Sequence, residues 1–183
     1  MNVKIFWELI DTTREASGGN ASRQAELLVE ELVKLSEDEI ISFDTILHDR
    51  MDEAYDAVLW DAAEIIGCGC GDDGFYEFRG WLIARGSKVY ENALADPESL
   101  MDSIEIEENA QDGAILYTLN PAYKQKTGQE LPWGFRKNRK SPLLKGTHLT
   151  EEDSKERFPK LAAKFGDCEK RWAMCWEIEI QIR

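Results

Sequence analysis

The sequence predicts an all-α protein, a multi-helix antiparallel bundle with a basic loop and a C-terminal appendage in which a short strand is expected. Three observations carry that expectation. Apolar residues recur at spacings of three and four through the first hundred positions, the mark of helices with one buried face. Glycine, proline and capping residues break these runs at short intervals, so consecutive helices fold back as antiparallel neighbours. No clear alternation of apolar and polar residues occurs in that half of the chain.

The elements follow in order. Phe6, Leu9, Ile10 and Thr13 mark the inner face of a first helix, which Gly18 and Gly19 stop. Asn20 or Ser22 caps a second, whose seam is Ala21, Ala25, Leu28, Leu32 and Leu35. "SEDE", residues 36–39, reads as a capping box opening a third helix with Ile40, Phe43, Leu47 and Met51 on one side. A fourth run, Tyr55, Leu59, Ala62 and Ile66, either continues it or follows it, and Gly67 is expected as the glycine just past its end. Asp72 or Asp73 is a natural cap for a fifth helix reaching Arg85, and a short sixth carries Val89, Ala93 and Leu94. "DPES" places a proline at the first position of another turn. A helix is expected from about Ala110 to Lys126, stopped by Thr127 and Gly128. "TEED", 150–153, caps a further one, and Pro159 starts or kinks the next before Gly166. At the end, Cys168, Trp172 and Cys175 suit a helix face, while Trp176, Ile178, Ile180 and Ile182 alternate as a strand would.

The 183 residues carry 36 acidic and 22 basic side chains, a net charge of −14. Nucleic acid and anionic lipid are therefore disfavoured as partners, since their phosphates would be repelled. No apolar run is long enough to span a membrane, and the N-terminus has no secretory pattern, so a cytoplasmic protein with reduced thiols is expected. The charge is unevenly placed. Residues 91–112 hold eight acidic residues and no basic one, whereas the loop 131–146 holds five basic residues and no acidic one. Trp133 and Phe135 beside those cations resemble a nucleic-acid footprint, but the acidity of the rest favours a loop engaged by the protein itself or by a second copy. The terminal strand is a second candidate surface for self-association.

Residues 67–86, "GCGCGDDGFYEFRGWLIARG", are the most unusual stretch. A phosphate loop would end in lysine and a hydroxyl, not in Asp72 and Asp73. A four-thiolate zinc site would need Cys68, Cys70, Cys168 and Cys175 to converge, and their spacing is unlike the usual pairs. No metal and no cofactor is expected. The glycines instead suit a tight corner between helices, with Cys68 and Cys70 as small, half-buried groups.

Three charges fall on apolar faces. Arg79 lies within the stripe of Phe75, Phe78 and Leu82; Asp44 lies between Ile40, Phe43 and Leu47; Asp61 lies beside Trp60, Val58 and Ala62. Buried charges need partners, so Arg79 is expected to pair with Asp44, Asp61 or a loop aspartate. The plainer reading is an ion pair that fixes helix register. The functional one is an anion- or carboxylate-binding cavity lined by Arg79 and the tryptophans Trp7, Trp60 and Trp81, which otherwise belong to the core.

"FWELID", "FDTILHDRMDEAYDAVLW" and above all "DDGFYEFRGWLIARGSKVYENALADPESL" resemble the bacterial family catalogued as domain of unknown function 4240, over residues 1 to about 127. Asp72, Asp73, Phe75, Phe78, Arg79, Trp81 and Leu82 match its signature, and Gly71 stands where that family usually has serine. The resemblance implies a mostly helical domain at 1–127 and does not cover 128–183, which read as a basic loop plus a C-terminal extension packed on that domain. It implies no reaction and supplies no catalytic residues. No catalytic constellation is evident, although Asp72 and Asp73 could do acid–base work. The sequence thus points to a domain that works by binding a protein, of which an immunity protein masking a basic toxin is one form. A small-molecule or anion-binding domain is the alternative, and an enzyme using Asp72 and Asp73 a further one.

Overall fold

The computed structural model describes residues 1–106, 108–132, 135–136, 139–169 and 171. The expected terminal strand, Trp133 and Cys175 lie outside them. Helices α1 (Val3–Ser17), α2 (Ala21–Val33), α3 (Glu37–Glu53), α4 (Ala57–Gly67), α5 (Asp72–Ala84) and α6 (Ser87–Ala95) follow one another with short connections. Two 3-10 turns, Pro97–Asp102 and Ala114–Tyr117, precede α7 (Leu119–Thr127), and α8 (Glu151–Arg157) and α9 (Pro159–Phe165) come after the loop. No sheet occurs among the described residues, and no helix there is long and apolar enough to cross a membrane.

The caps explain the boundaries. Asn20 accepts from Arg23 N, and the Ser36–Glu39 box closes in both directions. Asp56 accepts from Val58 N and Leu59 N, so α3 and α4 are separate helices meeting at a corner. The seams converge on one core that includes Phe6, Leu28, Phe43, Phe78 and, from beyond residue 127, Phe158, Leu161 and Phe165. Gly80 lets α5 press on the second 3-10 turn: a Cβ there would lie 2.6 Å from Leu116 Cγ.

Four local expectations need correction. Gly67 is the last residue of α4, and Cys68 takes the left-handed conformation (φ 53°) after it. A Cβ on Gly67 would meet only the end of the flexible Gln111 side chain, so no close approach requires glycine there. Asp72 and Asp73 occupy the first turn of α5 without capping it; Gly71 is the cap residue. The helix expected from Ala110 starts late, because Pro121 has no N–H to continue a helix through that point, and a 3-10 turn stands in. Cys68 is not a free thiol: it is disulfide-bonded to Cys168, with Cα atoms 5.5 Å apart. Cys70 is free and buried.

The basic loop folds onto the chain's own acidic surface. Arg136 grips Asp44 with two hydrogen bonds, one of 2.7 Å from Nε, and Arg139 bonds Asp49 and Asp52, all on α3. Lys145 then crosses the α3–α4 corner, its carbonyl accepting from Ala57 N at 2.9 Å and its N–H donating to Tyr55 O. The loop is a strap, laid beside α3 by opposite charge.

Candidate ligand-binding cleft

Arg79 decides what the space under the strap can do. It projects from α5 toward the C-terminal end of α3 and is only 8% exposed. Its Nη1 donates to Met51 O at 2.8 Å, and its Nε donates to Phe75 O at 3.3 Å. Met51 O is an orphan acceptor of a helix end, since Tyr55 N donates to Asp52 O instead. Glu53 O is met in the same way by Lys145 Nζ, and Arg50 O, which already accepts from Ala54 N, also takes the Tyr90 hydroxyl. A cation at this helix end is also favoured by the helix dipole.

The expected pairing of Arg79 with Asp44, Asp61 or a loop aspartate does not form. Asp44, 2% exposed, is held by Arg136. Asp61 accepts from Leu149 N at 2.8 Å and faces His148 Nδ1 at 2.6 Å. Asp52 is engaged by Arg139. Arg79 instead lies over the Tyr55 ring, 4.7 Å from its centroid, and beside Phe75 and Tyr76 at 5.1 and 5.8 Å. Burial holds its guanidinium below the usual pKa, with Tyr55 and Asp52 opposing. Its Nη2 has no hydrogen-bond partner among the described residues.

That guanidinium lines a cleft of about 490 Å³. Met51, Tyr55, Trp60 and Tyr76 supply apolar and aromatic wall, Asp72 and Asp73 stand at the start of α5, and Arg139 to Pro142 form the strap side. Trp60 is fixed from behind: it stacks on Phe75 at 4.5 Å, and its indole N–H donates to Cys70 O. His48 also lines the cleft, with Nδ1 3.1 Å from Asp44 O. A carbonyl can only accept, so Nδ1 carries the proton and Nε2 is the bare nitrogen of the neutral ring. Burial keeps His48 below its usual pKa, reinforced by the Arg136 and Arg139 charges against the pull of Asp44.

The structure thus brings Asp72, Asp73, Arg79 and Trp60 to one cleft, with Phe75 beneath and Asp44 behind His48. It leaves the other singled-out residues elsewhere. Trp7 packs between Phe6 and Tyr90. Trp81 is 3% exposed and donates to Glu108, which also takes Arg85. Asp61 borders a separate cavity of about 390 Å³ beside the disulfide. Sequence reasoning missed Tyr55, Asp52, Tyr76, His48 and Arg139. Only the spacing of Asp72, Tyr76 and Arg79, four then three residues, marks one face of α5 and could have found Tyr76.

Fold and site together define an all-α protein with a cleft floored by α3, α4 and α5 and crossed by a basic strap. The chain belongs to the family described as Protein of unknown function (DUF4240), whose model matches residues 1–125. The floor of the cleft falls inside the matched segment, and the strap falls outside it. No curated protein and no solved structure matches the chain.

Proposed function

We propose that this protein is a binding domain for a small molecule bearing a carboxylate, which it holds against Arg79 in the strapped cleft. The observation that supports this reading is a guanidinium 8% exposed, in a cavity, with no carboxylate of the described chain on it. Holding a cation away from water costs several kcal/mol unless an anion and hydrogen bonds compensate. Here two carbonyls and an aromatic ring compensate in part, and the free edge of the fork matches a carboxylate. Tyr55, Trp60 and Tyr76 would cover the ligand's apolar body, in the usual pattern of an apolar pocket with few polar anchors.

Calorimetric titration with hexanoate, against its uncharged counterpart hexan-1-ol, tests the proposal. Saturable binding of hexanoate to the native protein is expected, with none for the alcohol and none for Arg79→Met. Equal binding of acid and alcohol, or full binding by Arg79→Met, overturns it.

A further inference from the structure

We infer that the ligand is a zwitterion, its carboxylate on Arg79 and a cationic group at Asp72 and Asp73. This rests on the carboxylate reading above and adds the other end of the molecule. Asp72, Tyr76 and Arg79 lie four and then three residues apart on α5, so they follow one face and line the same cleft. At about 1.5 Å per residue, Asp72 and Arg79 stand roughly 10 Å apart along the helix axis. The cleft is therefore polarised, with a buried cation at one end and two exposed carboxylates at its mouth.

The carboxylates at the mouth are available. Neither Asp72 nor Asp73 has an ion pair or a side-chain hydrogen bond among the described residues, and neither caps α5. Their setting differs from that of Asp44, Asp49 and Asp52, all engaged by strap arginines. The other strap cation at the cleft, Lys140, has no ion pair there either. It leaves the mouth one negative charge in excess, two carboxylates against one ammonium. Arg139 is taken up by Asp49 and Asp52. A dianionic phosphate would meet repulsion on entry past Asp72 and Asp73, whereas a ligand with a leading carboxylate and a trailing cation meets attraction at both ends. The ring of Trp60 in the same wall gives a cation a second favourable surface.

The test compares 6-aminohexanoate with hexanoate, by calorimetric titration of the native protein and of the Asp72→Asn/Asp73→Asn double variant, whose folding is checked by circular dichroism. Asp72 and Asp73 are exposed, and an exposed charge pair adds about three- to fivefold in affinity, so 6-aminohexanoate is expected to bind the native protein about three to five times more tightly. In the double variant that advantage disappears, while hexanoate binding persists. Equal affinities for the two compounds in the native protein overturn the zwitterion and leave the carboxylate site standing, as does an undiminished advantage in the double variant. Failure of both compounds to bind overturns the carboxylate site as well.

Discussion

Replacing Arg79 with methionine separates a structural cation from one kept for a ligand. The loss side holds three contacts. The 2.8 Å bond to Met51 O has a charged donor and is worth about 1.5–3 kcal/mol. The 3.3 Å bond to Phe75 O is longer and worth about 1 kcal/mol or less. The guanidinium over Tyr55, 4.7 Å from the ring centroid, adds about 1–2 kcal/mol when desolvated. These sum to about 3–6 kcal/mol. Against them stands the relief of a buried charge, several kcal/mol for a fully enclosed ion, less here because the cleft admits water to one edge. Taking about 2–4 kcal/mol for that relief leaves Arg79→Met destabilised by about 1–2 kcal/mol. For a chain of this size the melting temperature should fall by roughly 2–8 °C. Urea unfolding and a thermal melt at pH 7 measure it. A loss above about 5 kcal/mol is the cost of breaking a fully buried ion pair and would refute the account of a guanidinium held by carbonyls. A gain in stability would show that the Met51 carbonyl needs no such donor.

Three further outcomes follow from the same structure. The Cys68–Cys168 bridge spans a sequence separation of 100, and by chain entropy its loss through Cys168→Ser costs about 4–5 kcal/mol; an unchanged urea midpoint, or free thiols at both positions by mass spectrometry of the native protein, would contradict it. His48 is held below the usual imidazole value of 6.5. The unfolded chain therefore takes up that proton first, and stability present above about pH 6.5 declines as acid carries the pH down through the folded value. His48→Gln should flatten that acid limb, with stability followed from pH 7.5 to 5. The strap should show as energetic coupling: a double-mutant cycle of Asp44→Asn and Arg136→Gln is expected to give about 1–2 kcal/mol, below the figure for a fully buried pair because the Arg136 side chain is 37% exposed. Additive effects would mean that the strap is not held by this pair.

Helix faces and caps were legible because they are local. The Ser36–Glu39 box, Asn20 and the seam Leu28–Leu32 depend on neighbours within one or two turns, and they fold as their spacing says. Three errors are local, namely the residue that ends α4, the cap of α5 and the late start of α7; the others arose where a distant residue decided. Arg79 lies on an apolar face as its spacing says, but the Met51 carbonyl and the Tyr55 ring are brought to it by the end of α3, and no spacing rule exposes an orphan carbonyl. Asp44 and Asp61 were recognised as charges in need of partners, while the partners, Arg136 and His148, come from 92 and 87 residues away. The Cys68–Cys168 bridge has the same character: separation in sequence carries no sign of meeting in space. The cleft was half visible, since α5 states its own face, and the strap that completes it could be read only as a basic loop.

The measurement that bears most directly on the central claim is a crystal structure of the protein soaked in hexanoate. The account predicts Arg79 Nη1 on the Met51 carbonyl and a carboxylate on the opposite edge of the guanidinium, with the alkyl chain against Tyr55 and Trp60. An Arg79 side chain ion-paired to Asp52 or another carboxylate of the protein, with the cleft closed over it, would contradict that claim.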